Sequence, residues 1–274
     1  MSSWLELIRR PFRAVLADQH ADPTPPPGSW KARYIRDAEH YRLRADRDPF
    51  EGWEKIKVPH HLVRRELQSA LDVAFGGGDL KIYRRYLDRA LLKAERIRRD
   101  GLPENRDRHS DLDRFELGEA QCDEAYARLL RDGTWDMAVF SLGLEQMAEW
   151  CFDKHSNPRW DDFTKEKALE LAPRAVVASK DELFAKLLKR MSKMSEIRDL
   201  DLWRAVAETT SPARGASLIQ RCLAQCSKGY DNTPLGNPTY QFELALSIWV
   251  LRGNPLEAVS IDAVVKIVYG QDAD

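Results

Sequence analysis

The chain has 274 residues, of which 43% are apolar and 32% charged, and its formal net charge is −1. This length buries one large core or two moderate ones, and the apolar content excludes a wholly disordered chain. The near-neutral balance gives no overall basic footprint for nucleic acid, and no apolar run approaches the ~20 residues that cross a bilayer.

Ser3 to Ala17 is a short amphipathic pattern with Trp4, Leu5, Ile8, Phe12, Val15 and Leu16 apolar. Arg9, Arg10, Pro11 and Arg13 break it, so it is not a secretory signal, and a cytoplasmic location is expected. It packs on the body, lies on a membrane surface, or stays a loose arm. Asp22 to Gly28, rich in proline, is a stiff spacer, which sets residues 1–28 apart from the body.

From Ser29 the apolar residues recur with helical period. Ser29 to Ala45 reads as one helix. Pro59 opens a second that runs to Phe75 and stops at Gly76-Gly77-Gly78. Asp79 is the expected N-cap of a third, which ends at Gly101. Further helices are expected from near Ser110 to Gly133 and from Trp135 to Phe152. Ser179 with Glu182 forms a capping box opening Lys180 to Met191. Asp199 to Glu208, Ser211 to Ala224, Thr239 to Arg252 and Ile261 to Tyr269 complete the series. Alternating strand patterns are nearly absent. The expected fold is therefore all-α, a bundle or hairpin stack of antiparallel helices. The segment from Asn157 to Asp162, with Pro158, divides it into helical blocks at 29–156 and 157–274. These form two subdomains or share one core.

Catalytic motifs do not accompany this scaffold. There is no nucleophile elbow, Walker loop or Rossmann glycine pattern. The six histidines show no spacing that places two metal ligands on one helix face, and His60 and His61 diverge by ~100°. Cys122, Cys151, Cys222 and Cys226 are expected as reduced, buried thiols. No cofactor or metal is expected. Asp161, Asp162 and Glu166 resemble an incomplete magnesium site or, more simply, carboxylates in a helix's first turn.

The charge is sorted along the chain. Arg64 to Gly101 carries ten basic residues against six acidic, a net of +4. Glu104 to Glu149 carries twelve Asp and Glu against five Arg, a net of −7. At ~100° per residue, Phe115, Cys122, Tyr126 and Leu129 share one face of the acidic helix, and Asp113, Glu116, Asp123 and Glu124 lie opposite. Those four, widened by Asp107 and Asp111, are the candidate docking surface for a basic partner. Glu119 projects near the edge of the apolar stripe and is expected to meet an Arg from a neighbouring helix.

Three short stretches carry a family likeness. They are Arg36-Asp37 with Tyr41, Val139-Phe140-Ser141-Leu142-Gly143-Leu144, and Tyr240-Gln241-Phe242-Glu243-Leu244-Ala245. In this order they resemble the all-helical immunity proteins that bacteria carry beside polymorphic DNase toxins, the PoNi type. Gly253-Asn254-Pro255 stands where that pattern has an acidic turn. The resemblance implies a non-enzymatic antitoxin that binds a basic nuclease toxin stoichiometrically through an acidic helical face, without touching nucleic acid. The alternatives are a helical adaptor using Arg84, Arg85 and Arg89, or a helical enzyme built on Asp161, Asp162 and Glu166.

Overall fold

Caps and breakers set where the helices begin and end. The computed structural model describes residues 57–103, 110–152, 158–191, 198–226 and 237–271. These form ten α-helices and one 3-10 turn, Leu256–Ala258, with no strand among the described residues. The helices are α1 (His61–Phe75), α2 (Leu80–Asp100), α3 (Ser110–Asp132), α4 (Met137–Phe152), α5 (Pro158–Val177), α6 (Asp181–Met191), α7 (Arg198–Glu208), α8 (Pro212–Cys226), α9 (Pro238–Leu251) and α10 (Ile261–Val268). The fold is all-α, as the periodicity predicts. The N-terminal arm, the spacer and the helix expected at Ser29 to Ala45 lie outside the described residues.

Local chemistry explains the boundaries. Asp79 accepts a hydrogen bond from the Lys81 amide at 2.7 Å and caps α2, as its position implies. Asn237 caps α9 through the Thr239 amide at 2.9 Å, and Pro238 takes the first helical position. Ser179 does not cap α6. It sits at φ 52 directly after α5, and the Lys180 amide reaches back to the Ala175 carbonyl at 2.9 Å. That six-residue closure ends α5 with a left-handed residue, so the Ser179–Glu182 capping box is replaced by a helix C-terminal motif.

The periodicity passes over α5. Pro173 lies inside this helix and donates no backbone hydrogen bond, so the segment reads as interrupted. Ser247 on α9 shares its hydroxyl proton between the carbonyls of Pro173, at 3.1 Å, and Glu243, at 2.9 Å. The segment expected to divide the chain, Asn157 to Asp162, enters α5 at Pro158. One apolar core takes residues from both sides of it, including Leu67, Tyr126, Ala172 and Phe242.

Consecutive helices from α1 to α4 pack on one another, and α5 packs on α6 in the same way. The closest approach is between α3 and α4. A Cβ on Gly118 would stand 2.5 Å from the Gly143 carbonyl oxygen, and one on Gly143 would stand 2.6 Å from that of Gly118. Each helix therefore uses a glycine where it crosses the other. Helix α9 is buried from Pro238 to Ile248 and apolar on nearly every side, which is the pattern of a central helix. It touches α1, α5, α8 and α10. Tyr126 of α3 sits at the meeting point, with its ring 5.1 Å from both Phe140 of α4 and Phe242 of α9. Cys122 and Cys151 are buried within this core, and Cys222 is half-buried.

Candidate functional site

Helix α3 carries the acidic residues singled out above, and the fold puts most of them inside. Glu116 is 4% exposed, Asp123 0% and Glu124 3%. Only Asp113 of the four faces solvent. Asp107 and the side chain of Asp111 lie outside the described residues. The expected anionic docking face is therefore corrected: Glu116, Asp123 and Glu124 are interior groups. The reason is non-local. Alternate sides of α3 are covered by α1, α2 and α4, so the side opposite the apolar stripe also meets protein.

Burial of these carboxylates requires cations, and neighbouring helices supply them. On α1, Arg64 forms a two-pronged pair with Asp123, both contacts at 3.0 Å, and a third contact with Glu119 at 3.4 Å. Four residues earlier, at the start of α1, His60 places Nδ1 3.1 Å from Glu116 and Nε2 3.2 Å from Glu119. Residues 60 and 64 thus meet 116, 119 and 123 in ascending order, so α1 and α3 run parallel, stitched by a ladder of ion pairs. Glu119 meets the arginine that its helical position predicts. Glu124 receives Arg128 at 2.7 Å and Arg98 of α2 at 3.2 Å. Lys93 of α2 reaches Glu66 of α1 at 2.5 Å.

A second buried pair lies one layer deeper. Arg174 of α5 is 1% exposed and donates to Glu243 of α9 at 2.8 Å. Its remaining reach goes to the Met147 sulfur at 3.3 Å. The charges of Arg64 and Glu243 act on one another, as do those of Arg174 and Glu119, so the pairs form one electrostatic unit. Its cations are His60, Arg64 and Arg174, and its carboxylates are Glu116, Glu119, Asp123 and Glu243.

Titration follows from this arrangement. Burial alone would lower the His60 pKa, but the hydrogen bonds it donates to Glu116 and Glu119, and their charges, raise it to about 9. Burial disfavours the Glu119 carboxylate, yet the Arg64 charge and the His60 hydrogen bond hold its pKa well below the usual range. Glu243 moves the other way. Removal from water outweighs the attraction of Arg174 and raises it to about 7. Of the unit's acids, Glu243 is the one that burial pushes toward the protonated form.

The chemistry open to this cluster is narrow. An imidazolium whose two nitrogens both serve carboxylates has no lone pair for proton abstraction or for a metal. Guanidinium groups do not deprotonate. Among the described residues, no group of three or more His, Cys, Asp or Glu side chains is arranged to hold a metal ion. Burial pushes the Cys122 and Cys151 thiols up to about 12, far from nucleophilic thiolates. The cluster is built to align helices. The side chains of Asp161 and Asp162 lie outside the described residues, and Glu166 is exposed on α5.

Sequence reasoning missed His60, Arg64, Arg174 and Glu243 as members of this unit. A signal for the first two was present: basic residues four apart on α1 match carboxylates three and four apart on α3. The likeness residues divide between core and unit. Phe140 and Phe242 pack on Tyr126, Tyr240 accepts a hydrogen bond from the Trp203 indole at 3.2 Å, and Glu243 holds Arg174. Arg36, Asp37 and Tyr41 lie outside the described residues. No helix among the described residues is long and apolar enough to cross a membrane. Comparison with protein-family models, characterised proteins and solved structures gave no match.

Proposed function

We propose that this chain is a non-catalytic immunity protein, acting in the bacterial cytoplasm, that neutralises a cognate toxin of the nuclease class by stoichiometric binding. The observation that supports the reading is where the likeness residues lie. Phe140, Phe242 and Glu243 come from separate stretches yet meet around Tyr126 and Arg174. A likeness seated in the packing core is one of architecture, which short matching stretches on a surface would not give. Pairing of the interior ionisable groups adds to it, since a binder needs a rigid scaffold and no reactive group.

The toxin contact belongs to residues outside the buried ladder. Of the acidic candidates with described side chains, Asp113 alone is exposed. The test is co-expression with the product of the gene adjacent to this chain's own, together with light scattering of the mixed proteins. The reading expects survival of the host and a complex of fixed stoichiometry. Cell death with excess chain present, or no complex at micromolar concentration, overturns it. Asp113→Lys should slow association by no more than about tenfold, because one rim charge changes encounter rate more than residence.

A further inference from the structure

Helix α10 is held against its own backbone preference. Its sequence is Ile-Asp-Ala-Val-Val-Lys-Ile-Val, and five of its eight residues are β-branched. Such side chains lose rotamer freedom against the preceding helical turn and favour extended backbone. Local support is modest. Ser260 caps the helix by accepting from the Ala263 amide at 3.2 Å, Asp262 lies in the first turn and Lys266 in the last. Isolated helices shorter than ~12–15 residues are marginal in water, so this one does not persist on local support alone.

Tertiary contacts hold it instead. Val264, Val265, Ile267 and Val268 are buried, and α10 touches α1, α8 and α9. Two side chains reach between helices. Gln220 of α8 donates to the Ile267 carbonyl at 2.8 Å. Tyr269, directly after α10, donates its hydroxyl to the Phe75 carbonyl at the end of α1. The preceding carbonyls of α1, those of Asp72, Val73 and Ala74, are closed by the amides of Gly76, Gly78 and Gly77. The approach to α10 is anchored separately. Trp249 of α9 donates its indole N–H to the Pro255 carbonyl at 2.8 Å, and Leu256 and Val259 are buried. Ser260, exposed and extended at φ −120° and ψ 156°, therefore joins a fixed turn to α10. The ion-pair ladder is remote from this contact, because Phe75 lies ~16 Å along α1 from Arg64.

We propose that α10 is a latch that opens as its own cooperative unit while the other helices stay folded, with Ser260 as the hinge and Tyr269 as the catch. Opening gives up four buried aliphatic side chains and two hydrogen bonds between helices, and it frees residues of low helix preference from helical backbone. It bares the strip of α1, α8 and α9 that α10 covers. The latch is a property of the fold and does not rest on the antitoxin reading.

Native-state hydrogen exchange of the full chain, read residue by residue in urea below the unfolding transition, tests it. Amides of Val264 to Tyr269 should be protected at least about 100-fold less than those of Phe242 to Ile248 in α9, through an opening that depends only weakly on urea. Tyr269→Phe and Gln220→Leu each remove one hydrogen bond between helices and should lower α10 protection about three- to tenfold. Gly118→Ala, at the distant α3–α4 crossing, separates the two units. It should lower α9 protection at least about fivefold and leave that of α10 within about twofold, since opening the latch does not break the crossing. The proposal is overturned by α10 protection equal to that of α9, by Gly118→Ala lowering both helices by one factor, or by Tyr269→Phe and Gln220→Leu leaving α10 unchanged.

Discussion

Arg174 and Glu243 face each other in a dry interior, and their two deletions are not equivalent. A glutamate left alone takes up a proton and becomes neutral, which limits the damage. An arginine left alone stays charged. Glu243→Leu should therefore cost about 3–5 kcal/mol in urea unfolding, and Arg174→Met measurably less. The double substitution should recover most of the loss, because well-packed apolar pairs replace buried ion pairs at little cost. Additive losses in the double variant would refute the pairing. The pH profile follows from the same unit. His60 has a raised folded pKa, so its contribution is fully present below about 6.5 and is lost as pH rises through about 9. Glu243 is also raised, so its share is lost as pH climbs from about 4.5 through about 7. Glu119 is lowered, and its share disappears in acid. Maximum stability lies on the acid side of neutrality, with a decline toward pH 9 on the order of 2–3 kcal/mol from His60. Measured urea midpoints of His60→Asn should show a flatter alkaline limb. At this scale the identities of the acids on α3, though not of Glu243, were readable from the sequence. Their burial was not, because it depends on cations in α1, α2 and α5, which are remote along the chain.

The crossing of α3 and α4 sets two local preferences against each other. Alanine at position 118 gains up to about 1 kcal/mol of helix propensity over glycine. It also drives a Cβ to 2.5 Å from the Gly143 carbonyl, so the two helices must separate. Separation disturbs the packing around Met147 and Cys122, and Gly118→Ala should destabilise by about 1–3 kcal/mol despite its propensity. A thermal melt that rises on this substitution would show that the helices move apart freely. Helical periodicity together with caps and breakers such as Asp79 and Gly101, which act locally, located every described helix except α5 to within a few residues. It could not locate α5, where Pro173 contradicts the local rule. Ser179 misled for a related reason: one residue type serves helix starts through its hydroxyl and helix ends through its backbone.

Across the molecule, Tyr126 joins what the chain keeps apart. Its ring meets Trp135, Phe140 and Phe242, so it packs against α4, α9 and the loop between α3 and α4. Its hydroxyl is buried with no hydrogen-bond partner. Tyr126→Phe should therefore be neutral or stabilising by about 1 kcal/mol, whereas Tyr126→Ala should cost about 3–5 kcal/mol. Equal losses from both would assign the hydroxyl an essential contact. The all-α class was legible because helical period pervades the chain. The candidate site was legible only as charge. Whether sorted charge faces outward or inward is decided by which helices flank α3, and neighbour identity is what one-dimensional periodicity lacks.

The sealed thiols of Cys122 and Cys151 give the protein its own clock. With pKa near 12, they hold on the order of one thiolate in 10⁵ at neutral pH, and the surrounding core keeps reagents out. A variant with serine at positions 222 and 226 should react with a thiol dye only when the core opens. At dye concentrations where labelling outpaces reclosing, its rate reads the opening of the core, and any binding event that holds the helices together should lengthen the interval.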